Sequence, residues 1–475
     1  MSSSNHHILL EHSFKEIEKI ENVKLFRRKF KTDRGQDYYV FEQKETETHF
    51  QLSANYFIGV DWLVKEKHSI QVEPKINSKL AKHYINLAEK EDNENSSSEI
   101  EKEENEAENE AKDENNLIEL DYLTMLLKVM SNPKVAKKTT DLVHIYWDEP
   151  QISVTQKQDQ LTPFLVVQFL QLLKTIVRKG LKKSYYKKQE NFRNRVKGKI
   201  LVGQHIKQNV FKNRLTQTFC EYQEFGVDSI ENRFLKKVWR FCLAYVEENK
   251  DLFKRNNTEI QNILNYARPA FEQIGDDIEE YQLKHIKHNP FFKEYKEAIT
   301  IGKYILKKFA YNISKTKETE EIFTPPFWID MPFLFELYFY AKLLKSNPEL
   351  NDNIHFQFST YGNALDFLIS DENNPMIIDT KYKLHYKWGQ IHEDIRQVSG
   401  YARLHKVRNK LNFHDDKIID CLIVYPDMSS EFDDDLSMIN IKHEIEKVNE
   451  KNEKVNYIKA YHKVYKLGIK LPRIQ

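Results

Sequence analysis

Apolar and polar positions alternate with a period of two through the first part of the chain. The runs Asp37 to Phe41 (DYYVF), Thr48 to Val64 (THFQLSANYFIGVDWLV) and His68 to Ile76 (HSIQVEPKI) are rich in aromatic and β-branched residues. That pattern sends successive side chains to opposite faces and predicts strands, hence a small β-rich domain over 1–88. The period lengthens after Leu117, where Leu120, Leu123, Leu126, Leu127 and Met130 recur at helical spacing. A second apolar helix is predicted in TPFLVVQFLQLLKTIVRKGLKKSYYKK, with Thr162 as N-cap, Pro163 at the first helical position and a basic, aromatic tail. Further helices are predicted from near Ser229 and through EIQNILNYARPAFEQI and KEYKEAITIGKYILKKFAYNI, so 117–322 reads as a helical middle region.

The pair Pro325 and Pro326 marks a boundary, and a C-terminal region is predicted over 323–475. It reads as a helix from about Pro332, a strand over Ile354 to Ser370, a polar turn at Asp371 to Pro375 and a strand over Met376 to His385. A helix in HEDIRQVSGYARLHKVR and a buried strand over Ile418 to Pro426 follow. The fold class expected is α+β and multi-domain: an N-terminal β-rich domain, a helical middle and a C-terminal α/β domain with a mixed sheet.

Composition adds one boundary and several exclusions. The segment 89–116 is acidic, rich in Ser and Asn and nearly free of apolar residues, so it reads as a disordered insertion or linker. The 475 residues carry 73 basic and 72 acidic side chains, a net charge of +1, so charge matters here through its segregation along the chain. Cys220, Cys242 and Cys421 are far apart, which argues against a disulfide framework or structural zinc and fits a reducing compartment. No signal-peptide run opens the chain and no apolar stretch of bilayer length is evident, so a cytoplasmic protein without a membrane partner is expected.

The chemistry concentrates near the turn at Asp371 to Pro375. Asp366 lies within ALDFLI and Asp379 ends the apolar run MII. A carboxylate at the end of a buried strand costs free energy unless something pairs with it, and a hard divalent cation such as Mg²⁺ is one such partner. Lys381, two residues past Asp379, shares its face and is placed to orient a water or offset phosphate charge. Glu336 on the preceding helix adds a third carboxylate. Gln397 and Tyr401, four residues apart on the following helix, share a face that is placed to position DNA or a metal-bound water. The competing reading is a structural salt-bridge hairpin.

IIDTKYK, with LDF upstream and DIRQVSGYA downstream, resembles the PD-(D/E)xK nuclease core. More narrowly the chain is similar to McrC-like subunits of McrBC-type 5-methylcytosine restriction systems. GVDWLVKEKHSIQVEPKI, LDYLTMLLKVM, KGKILVGQHIKQN, FGVDSIENRFLKKVWRF and WIDMPFLFELY extend the likeness over most of the chain outside the acidic insertion. The resemblance implies Mg²⁺-dependent DNA cleavage, Mn²⁺ being a possible substitute, by Asp366, Asp379 and Lys381 with Glu336 and Gln397 assisting. Metal ligation falls to Asp366, Asp379 and Glu336, and DNA contacts to Lys383 and Tyr401. It also implies that the N-terminal and middle regions dock on a McrB-like AAA+ GTPase ring and stimulate it. GTP and recognition of modified DNA would belong to that partner, in keeping with the lack of a phosphate loop in this chain. Leu365 stands where the motif expects Pro, and the acidic insertion is foreign to the pattern. The alternatives are a non-cleaving subunit that activates an AAA+ ring and a nuclease of another repair or defence system.

Three further features stand apart. KKSYYKKQENFRNRVKGK suits either a phosphate backbone or an acidic partner face, against a solvated basic helix end. Asp228 and Arg233 suit a structural pair. His285 and His288 have helical metal-pair spacing without an evident third ligand.

Overall fold

In the computed structural model the residues described are 5–11, 13–19, 25–31, 37–54, 56–77, 117–155, 159–254, 256–275, 277–278, 292–315, 321–360, 363–372, 374–383, 390–413, 417–426, 435–446, 455–457 and 461–474. The acidic segment 89–116 and the pair His285 and His288 lie outside them.

Strand Phe57–Val64 is buried along nearly its whole length, as a central strand covered on both faces must be. It belongs to a five-stranded sheet ordered Asn5–Leu10, His68–Glu73, Phe57–Val64, Phe327–Asp330, Val143–Ile145. The first pair is parallel and the others antiparallel. Gly59 (φ +152°) lies opposite Trp328, where a Cβ would fall 2.1 Å from the Phe327 carbonyl oxygen. Only glycine allows this close approach. Asp61 is buried in the same strand and pairs with Arg28, at 2.9 Å and 3.2 Å, while the Trp328 indole N–H donates to it at 3.0 Å.

The chain forms two compact units, one of Met1–Leu161 with Glu320–Gln475, the other of Thr162–Thr319. The boundary at Thr319 and Glu320 lies three residues from the division expected at 322, but the segments on either side of 162–319 belong to one unit. Strand Phe327–Asp330 lies beyond the proline pair yet completes the N-terminal sheet, and Trp328 sits in that sheet's core. An edge of a sheet can be satisfied by a strand distant in sequence, and composition carries no signal of it.

The second unit holds helices Leu161–Lys179, Ile230–Glu248, Asn257–Ala267 and Lys293–Lys315. The second of these begins near Ser229, as expected, and Ser229 caps it. Thr162 is not an N-cap; it lies inside its helix and accepts a 2.7 Å hydrogen bond from Lys308. Leu161–Lys179 is long and apolar enough to cross a membrane, contrary to the expectation that no such stretch exists, but 78% of that span is buried in the protein. The basic tail expected as a helix end is a strand. Ser184–Arg193 pairs through ten residues with Gln217–Gly226, and Lys199–Ile200 adds a third strand. Aromatic and long polar side chains on both faces suit a two-sided, solvated ribbon better than a helix. Tyr185, Phe211, Leu215 and Phe225 are exposed on this ribbon and its connection. Asp228 and Arg233 form the expected structural pair, a two-bond fork at 2.7 Å and 2.6 Å.

The C-terminal part of the first unit is a six-stranded mixed sheet ordered Ile354–Thr360, Asn363–Ile369, Met376–Thr380, Asp420–Pro426, Val464–Ile469, Val455–Tyr457. The single strand expected over Ile354 to Ser370 is thus a hairpin of two. The strands from Met376, Asp420 and Val464 run parallel, with antiparallel neighbours on either side. Helix Met331–Ser346 is capped by Asp330, which accepts from the Phe333 N–H, and packs Phe339 and Tyr340 against Phe367. Helix Gln390–Tyr401 buries Ile395 and Val398 with Cys421 and Ile423 of the sheet.

Candidate active site

The pairing of Asn363–Ile369 with Met376–Thr380 stops at Phe367 opposite Ile378. One residue beyond, Asp366 and Asp379 stand where the two strands part. Asp366 takes up the freed backbone: one of its oxygens accepts from the Thr380 N–H and from the Thr380 hydroxyl, each at 2.6 Å. The neighbouring hairpin is irregular at the same level. Its register passes from Phe356–Phe367 to Phe358–Leu365, leaving Gln357 (φ +51°) opposite Asp366. A left-handed non-glycine residue is a local cost retained at a place where strand geometry is being redirected.

Strand Met376–Thr380 stops one residue short of Lys381. The Lys381 N–H continues the parallel pairing by donating to the Val424 carbonyl at 2.7 Å. The Lys381 ammonium lies 2.8 Å from an Asp379 carboxylate oxygen, donates to Gln397 at 3.0 Å, and stands 3.9 Å from Asp394. Gln397 in turn donates to the Tyr401 hydroxyl at 2.6 Å. Tyr401 is buried among core residues, while Gln397 is exposed. Lys383 is held by both oxygens of Asp394, at 3.0 Å and 2.8 Å. Glu336, from the helix, receives a long 3.5 Å contact from the Gln357 amide.

The electrostatics follow from gathering carboxyls away from water. Burial, reinforced by Asp366, pushes the Asp379 carboxyl up to about 7. Burial also raises Asp366, against the pull of Lys381 and the two hydrogen bonds from Thr380. Glu336 is driven well above the usual carboxylate range by burial and then by Asp366. Burial opposes the charge on Lys381, but Asp379, Asp366 and Asp394 outweigh it and raise its pKa. The cluster thus has more potential negative charge than its ammonium groups balance.

This donor set, hard carboxylate oxygen with a nearby ammonium, fits Mg²⁺ or Mn²⁺ in its chemistry. Among the described residues no three such side chains already stand as a preformed metal cage.

The sequence reading did not single out Thr380, Asp394, Gln357 or Asp330. Asp394 had a usable signal, because it precedes Gln397 by three and Tyr401 by seven on one helix face. Gln357 had none, since its place depends on the register of a hairpin. Asp330 caps the helix that carries Glu336, and burial raises it to about 6.

The sequence profile of the McrBC 5-methylcytosine restriction system components matches residues 57–426. No curated protein sequence matches the chain. Among solved structures it is similar to the refined half-complex from a tetradecameric assembly of Thermococcus gammatolerans McrB AAA+ hexamers with bound McrC. The identity is 13%, the match covers 98% of this chain and 94% of that one, and the TM-score is 0.38. It is also similar to the cryo-EM structure of the Thermococcus gammatolerans McrBC complex, at 14% identity, covering 72% of this chain and 88% of that one, with a TM-score of 0.28. Both TM-scores are low, and the assignment rests on the profile, which spans most of the chain. This chain belongs to the family of McrBC 5-methylcytosine restriction system components.

Proposed function

We propose that this chain is the DNA-cleaving subunit of a McrBC-type restriction system. In this reading it is a Mg²⁺-dependent endonuclease with a PD-(D/E)xK core that acts with a McrB-like AAA+ GTPase ring. The observation that carries the reading is the meeting of Asp366, Asp379 and Lys381 at the end of one strand pair, with Glu336 and Gln397 reaching the same place from two helices.

Asp366, Asp379 and Glu336 are the residues that would hold the metal. A bound Mg²⁺ supplies charge neutralisation at the phosphate and a more acidic water. The protein's own groups do the positioning. Thr380 fixes Asp366 through two hydrogen bonds, and Gln397 fixes the Lys381 ammonium beside Asp379. Lys381, whose pKa is raised by the three aspartates, stays charged and offsets negative charge building on a scissile phosphate. Tyr401 holds the Gln397 amide in its orientation from within the core.

The partner reading is supported by family membership and by the exposed apolar and basic ribbon of the second unit, a surface suited to a macromolecular contact. GTP is then consumed by the partner. The test is cleavage of methylated DNA with Mg²⁺, with and without the partner and GTP, by the wild type and Asp379→Ala. Cutting by the wild type and none by the variant is expected. Cutting that survives the substitution overturns the site. No cutting by the wild type, with GTP hydrolysis by the partner still stimulated, replaces this reading with that of a non-cleaving activator.

A further inference from the structure

A groove of about 1050 Å³ opens beside helices Gln390–Tyr401 and His405–Lys410, at the starts of strands Asp420–Pro426 and Val464–Ile469. Arg396, Arg403, Arg408, Lys417 and Lys463 line it, Lys463 being ion-paired at 3.4 Å with Asp420 behind it, and no described lining residue is acidic. The rings of Phe413, Tyr461, His405 and His462 stand among these cations. An open groove of this size and sign concentrates a polyanion, whereas specific small-molecule pockets are enclosed and mostly apolar. Cations interleaved with rings are the means of holding phosphates and base faces together.

Gly400 is the second observation. It is the penultimate residue of helix Gln390–Tyr401 and lines the groove. A Cβ built there meets no atom within 4 Å, so the fold itself does not require glycine. A bare backbone facing an open basic groove suits close approach by a ligand. The same helix joins the groove to the candidate site. Gln397 reaches Lys381, while Arg396, Gly400 and Arg403 line the groove. Gln397 and Gly400 are separated along the helix axis by roughly 4.5 Å, a little more than one step of B-form rise.

We infer that this groove is a second DNA-binding subsite, which grips the sugar-phosphate backbone of the substrate a few nucleotides from the cleft. The inference rests on DNA being the substrate, but its test requires no cleavage. Binding of the full chain to a labelled methylated duplex is measured by fluorescence anisotropy in EDTA across a range of salt. The proteins compared are the wild type, Asp379→Ala, the triple variant Arg396→Ala/Arg403→Ala/Lys417→Ala, and Gly400→Leu. The triple variant is expected to bind at least about tenfold more weakly near 0.1 M salt, with a log–log salt slope shallower by about 2 to 3. Gly400→Leu fills the groove without changing charge and is expected to bind about fivefold more weakly, with the salt slope kept and thermal stability not reduced. Asp379→Ala binds at least as well as the wild type, so a failed nuclease assignment leaves this result intact.

Affinities of both groove variants within twofold of wild type, with the salt slope unchanged, overturn the inference. So does a wild type that binds no DNA. If the variants keep DNA affinity but lose association with the partner ring, the groove is a protein-docking surface and the inference fails.

Discussion

Thr380 donates two hydrogen bonds to a single oxygen of Asp366, one from its backbone and one from its hydroxyl, each 2.6 Å long. The pair replaces the strand pairing that ends one residue earlier and aims Asp366 across the gap toward Asp379. Thr380→Val keeps the shape and the backbone bond but deletes the hydroxyl. DNA cleavage by the assembled complex is expected to fall about tenfold, with a stability loss of about 1 kcal/mol. Urea denaturation and single-turnover cleavage measure the two effects. Unchanged cleavage counts against the role given to Thr380.

Asp379 is buried, beside Asp366 and with one ammonium in contact. Asp379→Asn removes a charge the fold does not favour, so cleavage should drop by at least about 100-fold while stability rises by about 1 kcal/mol. Thermal melts and cleavage assays on the same preparation test this opposition. A variant that loses both activity and stability points to a structural role for the Asp379–Lys381 pair.

Glu11 is buried, and burial, against an opposing influence of Tyr382, raises its carboxyl to about 8. In the unfolded chain it ionises near the usual glutamate value of 4.5. Between those values the folded state holds a proton that the unfolded state releases. Stability from this group is therefore full below about 4.5 and falls until about 8, by a few kcal/mol at most. Glu11→Gln should flatten that slope and be the more stable protein at pH 8. Urea titrations at pH 5 and pH 8 check it, and parallel slopes for the two proteins contradict it.

Gly59→Ala places a methyl group against the Phe327 carbonyl and requires a backbone conformation that alanine resists. A loss of about 2–4 kcal/mol is expected, with faster amide exchange concentrated in strands Phe57–Val64 and Phe327–Asp330. Exchange that rises instead in the C-terminal six-stranded sheet counts against this account.

Truncation tests the units directly. A fragment ending at residue 322 lacks strand Phe327–Asp330 and its buried Trp328. It should fail to form the five-stranded sheet, whereas removal of 162–319 behind a short linker should spare the sheet. Circular dichroism and the near-ultraviolet signal of Trp328 distinguish the outcomes. A well-folded 1–322 fragment refutes the interlocking.

The sequence alone determined the local grammar and the chemistry. Periodicity located strands Phe57–Val64 and Asp420–Pro426 and helices Tyr122–Ser131 and Ile230–Glu248, because each buries one face or a whole strand. Two carboxylates and a lysine after apolar runs marked Asp366, Asp379 and Lys381, because such groups are expensive to bury without a purpose. The tertiary structure decided what depends on chain reversal and register. It split Ile354 to Ser370 into a hairpin with Gln357 opposite Asp366, and made the basic tail after Lys179 a ribbon strand. It brought Asp394 to Lys381 and Lys383 and gave Phe327–Asp330 to a sheet begun more than three hundred residues earlier. Side-chain pattern encodes which faces are buried; which strand covers an edge is settled only when the whole chain has packed.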